Sequence, residues 1–332
     1  MALSGAALVG LPRVARATGG IDVAGPAAQH SMRVLLASEP FAPAQPLDAW
    51  HFGWDGRTYR GTFSTVRLED GRMGLVNVVP LDAYLYGVLS KEVSPSWSPG
   101  AQQAQAIVAR TFALGRLRPA KPYDIVASEG DQRYAGIESE SVSGRAAIDA
   151  TGGIIVTYGN APARVAYSSC CGGKTADAAA VWKTPYPYLA GVLDPHCFGT
   201  PNYTWQIEVP WTLVQSAFGA QLSALGALRS VGLAGASDPT DRPRTIDFMG
   251  TTSTFETTPP ALRVSLGATL VRSTFVRTIA LEPGNELLSL SGTGRGHGVG
   301  MCQWGARVMG DAGATAQDII SFYFPGTSFG RG

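Results

Sequence analysis

Short apolar runs punctuated by turns dominate the chain up to about residue 80, and beyond it apolar positions fall at helical spacing. From Met32 the run RVLLAS reads as a strand. Residues 57–79 string apolar and β-branched runs around the turn pairs Asp55-Gly56 and Asp70-Gly71, the pattern of β-hairpins. Pro80-Leu81-Asp82 then opens a helix with Leu85, Val88 and Leu89 on one face and Asp82 as its cap, and Ser94-Pro95-Ser96 breaks it. Ser98 and Pro99 suit the N-cap and first turn of a second helix. Its apolar face is Ala104, Ile107, Val108, Thr111 and Leu114, and it runs to about Leu117. Residues 138–150 read as another helix and 153–158 as a buried strand. In 203–258 Pro, Thr, Ser and Gly are scattered, with a helix at 211–218 and a loop at 239–243, which marks a smaller inserted lobe. LRVSLG and STFVRTI lead back to the main domain, which closes with helices at 302–309 and 316–323. The elements show no βαβ rhythm and no internal repeat. The expected class is α+β, with mixed helices and β-hairpins around one groove.

The segment 292–306, GTGRGHGVGMCQWGA, has glycine at every second position from Gly292 to Gly300. Such density serves a backbone that must take positive φ or let another surface approach closely. With His297 and Gln303 on it, the ribbon reads either as the floor of a binding groove or as a glycine-rich hairpin. No register satisfies G-x-G-x-x-G, so a dinucleotide fingerprint is excluded.

Composition narrows the partners. Charged residues make up 15% of the 332 and the net charge is +1, with no basic stripe of the kind nucleic-acid binding needs. A weakly charged chain with eleven Tyr and seven Trp fits a neutral or mixed polar ligand such as a sugar polymer. At the N-terminus ALSGAALVGL followed by a small-x-small site at Ala15-Arg16-Ala17 resembles a signal peptide over residues 1–17, although no basic residue precedes the apolar run. Residues 18–30 would then be a linker and 31–332 the exported domain. No apolar run is long enough for a transmembrane span. Of the four cysteines, vicinal Cys170 and Cys171 cannot easily bridge each other, but either could pair with Cys197 in an oxidising compartment. A metal site of His196 with three cysteines matches no standard zinc spacing.

Three blocks carry a family resemblance. They are LDAYLYGVLSKEVSPSW with AQQAQAIVARTFALGRL, then YSSCCGGKTADAAAVW with PYLAGVLDPHC, then GHGVGMCQWGARVMGDAGATAQDIISFYFPGT. In this order they resemble the stage II sporulation protein D (SpoIID) and amidase-enhancer (LytB) family from about Met32 onward. By itself Glu92 in LSKEVSPSW reads as a solvated partner of Lys91, a helix cap, or a carboxyl desolvated by Val93 and Trp97, whose pKa would rise toward that of a general acid. The resemblance implies the last role: Glu92 as the acid of a lytic transglycosylase that cleaves MurNAc-GlcNAc bonds of peptidoglycan glycan strands, peptide-stripped ones in particular. The C6 hydroxyl of MurNAc closes a 1,6-anhydro ring, so the second carboxylate of ordinary glycosidases is not required.

The same resemblance implies supporting roles in substrate binding for Arg110, Tyr134, Lys174, Thr175, His297 and Gln303, and a disulfide between Cys171 and Cys197. Each has a plainer structural reading: an ion pair for Arg110, core packing for Tyr134. Some family members carry His and Cys zinc ligands before a Gln-x-Tyr step; here YDIVASEGDQRY has neither, so no metal and no cofactor is expected. The implied location is the cell envelope, exported to periplasm or wall. Two other readings remain. A glycan-binding enhancer of a cell-wall amidase would keep the fold without turnover, and a cysteine hydrolase would use Cys302 as nucleophile and His297 as base.

Overall fold

The computed structural model describes residues 21, 23, 29–282, 284 and 286–332. The leader and most of the linker expected from the sequence lie outside these. Elements of both kinds are interleaved in several small sheets, the α+β class.

The first layer is a four-stranded sheet in the order Thr62–Arg67, Met73–Pro80, Ser31–Ser38, Ile125–Val126. Its pairings are antiparallel except the last, which is parallel. Met73–Pro80 runs straight into helix α1 (Leu81–Glu92), and α2 (Pro99–Leu114) follows after the break at residues 93–98. Met32, Val34, Val79, Tyr84, Leu85, Val88, Ala106, Ala109 and Ile125 form one core between sheet and helices. The opposite side of α2, with Ala104, Ile107 and Val108, belongs to a second core. The helix is thus buried all round, which a single apolar face did not foretell, because its other side is built of alanines that allow close approach. Gly115 ends it, three residues short of expectation. Ser98 stands at its N-cap, but its hydroxyl makes no cap bond. Asp82 lies in the first turn of α1 and pairs with Arg110 at 2.8 Å rather than capping.

The expected helix at 138–150 divides into a 3₁₀ turn, Ile137–Ser139, and α3 (Val142–Ala150), whose true cap is Ser141 accepting from Gly144 N–H. Strand Ile154–Tyr158 follows and pairs with the C-terminal strand Ser328–Arg331. After α4 (Ala178–Trp182), residues 204–293 enclose a third core of Trp205, Val214, Phe218, Phe248, Leu262 and Leu290. It holds two three-stranded sheets with α5 (Trp211–Ser223) and α6 (Pro259–Leu266). The segment 203–258 lies within this lobe. Pairing of Thr204–Pro210 with Leu287–Thr293 along their whole length brings residues 259–293 into it as well.

The chain closes with α7 (Gln303–Asp311) and α8 (Ala316–Tyr323), both packed on α2. Between lobe and α7 runs the glycine ribbon. Gly294, Gly296, Gly298 and Gly300 all have positive φ, from 74° to 105°. A Cβ at Gly294 would stand 2.6 Å from the Cys170 carbonyl oxygen, and one at Gly296 2.8 Å from Ser168 Cβ. The ribbon is therefore wedged against the second core, and short parallel pairing joins Tyr167–Ser168 to Met301–Cys302. Among the described residues no helix is long and apolar enough to cross a membrane.

Candidate functional site

Where α1 ends, Val93 turns extended and the chain leaves for α2, so the last helical side chain, Glu92, projects at the edge of the packed layer. It faces an open cavity of about 770 Å³. The walls come from the start of α7, the Tyr167–Ser168 strand, the glycine ribbon, the loop at 129–133 and the tip of the inserted lobe. Glu92 is half-buried, and burial raises its pKa above the usual carboxyl range. Opposing that rise are the backbone N–H of Arg133, the Tyr167 hydroxyl, the Gln303 amide and the Arg133 charge. Desolvation wins, while the donors keep the ionised form within reach.

The donors are themselves held. The Tyr84 hydroxyl donates to Gln132 Oε1 at 3.2 Å, and Gln132 Nε2 donates to the Tyr167 hydroxyl oxygen at 3.1 Å. This aims the Tyr167 proton at Glu92. Gln303 Nε2 also reaches Gln105 Oε1 at 3.4 Å. Around the carboxyl, Lys91, Arg116, Arg133, Arg164, Arg263 and Arg295 line the cavity against two further acids, Glu129 and Asp131. Both acids are occupied. Asp131 pairs with Arg116 at 3.3 Å and accepts from Val126 N–H at 3.0 Å, and Glu129 pairs with Arg133 at 3.7 Å. Glu92 is the carboxyl left without an ion pair among the described residues of this wall.

His297 lines the same cavity with its ring 5.2 Å from that of Trp182. Its Nδ1 accepts from Val299 N–H at 3.0 Å. Burial and the nearby Arg263 and Arg242 charges push its pKa down to about 4, so the ring is neutral at physiological pH. Gln303 and His297 are the two expected supporting residues that join Glu92.

The others stand elsewhere. Arg110 is fully buried and is spent on Asp82, the carbonyls of Ile148 and Ile154, and Thr151. Tyr134 lies in the first core, donating to Asn77 Oδ1 at 2.9 Å and packed between Tyr59 and Tyr84. Lys174 binds the Pro239 carbonyl at 2.8 Å and Asp241 at 3.1 Å. Thr175 ties residues 174–176 to Val192, both by its hydroxyl and by its own N–H. Of the expected neighbours of Glu92, Val93 is buried, but Trp97 packs at a tilt against Trp304, ring centroids 5.6 Å apart, and is absent from the cavity wall. The aromatic side chains of that wall are instead Phe112, Tyr167, Trp182 and Tyr186. Tyr167, Gln132 and the arginines were not singled out from the sequence. Tyr167 had a signal there as the residue opening the YSSCC block, and Gln132 as the first residue of the Gln-x-Tyr step.

Behind the ribbon the cysteines converge. All four are buried thiols, and Cys171 Sγ lies 3.5 Å from Cys197 Sγ. Cys302 Sγ is turned away from the cavity, accepting N–H from Cys171 at 3.3 Å and from Gly305 at 3.4 Å. It makes no hydrogen bond to His297, so a Cys302–His297 nucleophile pair is not formed. His196 packs its ring edge-on against Phe322 at 5.3 Å, and the acidic side chain among the sulfurs is Asp194.

Known proteins resemble this chain over the stretch that carries Glu92. The SpoIID family model, described as stage II sporulation protein, matches residues 69–158, the stretch that contains α1, Glu92 and α2. An uncharacterized protein of Brachyspira hyodysenteriae is 33% identical over 287 residues, covering 83% of this chain and 73% of that protein. The stage II sporulation protein D of Bacillus subtilis is 27% identical over 269 residues, 76% of this chain and 75% of the relative. The Bacillus subtilis amidase enhancer is 26% identical over 297 residues, 74% of this chain but 40% of the relative's own length. The chain belongs to the SpoIID family.

Proposed function

We propose that this protein is an exported lytic transglycosylase of peptidoglycan glycan strands, with Glu92 as its acid and then its base. The observation that carries the reading is a single unpaired carboxyl, with a raised pKa and held by Tyr167 and Gln303, in an open cavity of about 770 Å³.

Protonated Glu92 gives its proton to the bridging oxygen between MurNAc and GlcNAc as the C1–O bond breaks and positive charge develops at C1. The resulting carboxylate takes the proton of the MurNAc C6 hydroxyl while that oxygen bonds C1. The proton is back on Glu92, no water is consumed, and the product ends in 1,6-anhydroMurNAc. One carboxyl performs both halves, whereas hydrolysis would need a second to activate a nucleophile. The opposed influences on Glu92 suit this alternation, since burial favours the acid and the donors favour the base. The arginine-rich wall suits a glycan bearing free lactyl carboxylates, as peptide-stripped strands do.

The test is a digest of purified, peptide-stripped glycan strands by wild type and Glu92→Gln, read by mass spectrometry. Anhydro-ended products from wild type alone are the expected result. Reducing-end products would replace the reading with hydrolysis. Retained glycan binding without products from either protein would favour a glycan-binding enhancer, as the name of the Bacillus subtilis amidase enhancer suggests.

A further inference from the structure

We propose that Cys171, Asp194, Cys197 and Cys302 form a tetrahedral site for a thiophilic divalent ion, of which zinc is the best fit, directly behind the wall that carries Tyr167 and Gln303. One ligand atom from each of these four residues lies within 4.8 Å of every other. A zinc ion with thiolates at about 2.3 Å places its sulfurs about 3.8 Å apart. The Cys171–Cys197 separation of 3.5 Å is close to that spacing. Cys171 Sγ stands 3.1 Å from Asp194 Oδ2.

Three further features point to a cation rather than to four packed side chains. Cys302 Sγ accepts from two backbone N–H groups, those of Cys171 and Gly305, and Cys197 is approached by the Gly173 N–H. Such donors orient and stabilise sulfur that carries negative charge. Asp194 is completely buried, yet among the described residues it has no ion pair with any Lys or Arg. A buried carboxylate facing three sulfurs is stable when a cation sits among them. Its oxygens are already oriented from outside the cluster, Oδ2 by the Tyr323 hydroxyl and Oδ1 by the His196 N–H, both at 2.9 Å. This is the outer arrangement that metal-bound carboxylates require. Three thiolates and one carboxylate with no open side match a structural rather than a catalytic ion.

The four ligands come from three stretches of chain far apart in sequence, so the ion would tie them together. Tyr167 lies four residues before Cys171, and Gln303 follows Cys302 directly. The site would therefore hold both donors to Glu92 in position from behind. It rests on geometry separate from the cavity, and metal content is read without glycan.

The experiment takes full-length protein produced with zinc present, desalted, and measures bound metal by inductively coupled plasma mass spectrometry together with a thiol count by alkylation. One zinc per chain, protected thiols, and loss of the zinc in Cys302→Ser and Asp194→Asn are the expected results. Because those variants could misfold, reduced wild type is also stripped and titrated with Co²⁺. The expected spectrum has intense tetrahedral d–d bands and thiolate charge-transfer absorption. A Cys171–Cys197 disulfide with no metal, or reduced protein that gives no such spectrum, would overturn the site. Failure of glycan turnover with one zinc retained would instead count against the function of Glu92.

Discussion

The groove at Glu92 and the thiol cluster behind it are built on the same two pieces of chain, residues 167–171 and 301–303, and treat buried polar groups in opposite ways. On the groove side Tyr167 and Gln303 hold a carboxyl that has no ion pair among the described residues and opens to a cavity. On the inner side Cys171, Cys197, Cys302 and Asp194 face one another with no access to solvent. The difference follows from how the segments pack. Parallel pairing of Tyr167–Ser168 with Met301–Cys302, followed by the first turn of α7, sends Gln303 to one side and Cys302 to the other. A carboxyl with a raised pKa beside a cavity is suited to moving protons, whereas a closed cluster of three thiols and a carboxyl is suited to holding segments together.

Glu92→Gln gives the largest expected effect on this contrast. Turnover of stripped glycan should fall by about 10²–10⁴-fold, the usual contribution of a general acid, with metal content unchanged. The same variant should be more stable than wild type at neutral pH. Burial raises the Glu92 pKa, so the folded chain holds that proton more tightly than the unfolded chain. The resulting stability is present below the ordinary carboxyl range and is lost as pH rises through the folded value. Glutamine carries no such loss, so melting curves should diverge toward neutral pH and converge near about pH 4. A variant less stable than wild type at neutral pH would mean that Glu92 is a comfortably paired structural residue.

Next in size are Tyr167→Phe and Gln303→Leu. Each removes a donor that favours the carboxylate, so the Glu92 pKa should rise further and the alkaline limb of the pH–rate profile should move to higher pH. Loss of one bond to a charged group, about 1.5–3 kcal/mol, corresponds to roughly a 10–100-fold drop where the carboxylate must act as base. An unmoved limb would separate these side chains from the acid.

The smallest effect is expected at His297. With its pKa near 4 the ring contributes stability that is complete above the ordinary histidine range and is lost as pH falls toward about 4. Turnover should show no histidine inflection between about pH 6 and 8, and NMR titration of the ring should find its midpoint near 4. An inflection near neutrality that vanishes in His297→Asn would make the imidazole a proton carrier and blur the line between the two sites.

Much of this was legible in the residues. Turn pairs and apolar runs marked the hairpins before residue 80, and Pro80 and Ser94-Pro95 bracketed α1 within a residue or two, because proline geometry acts locally. Glu92 was visible as the last residue of that helix, and alternate glycines announced a backbone with positive φ. Local chemistry also allowed Cys170 or Cys171 to meet Cys197, while the arrival of Cys302 beside them came from the fold. Sequence could not decide what lies across a gap of many residues. Arg110 and Tyr134 each sit in a motif, but only packing turns them inward, to Asp82 and Asn77. Tyr167 gains its role from Gln132, thirty-five positions away. Asp194 rather than His196 joins the sulfurs because two residues of backbone point their side chains in different directions. Propensity, capping and turn formation depend on neighbours in sequence, and so the chain declared its elements and the place of Glu92 at a helix end. Desolvation, ion pairing and ligand geometry depend on neighbours in space, and only the assembled fold could assign them.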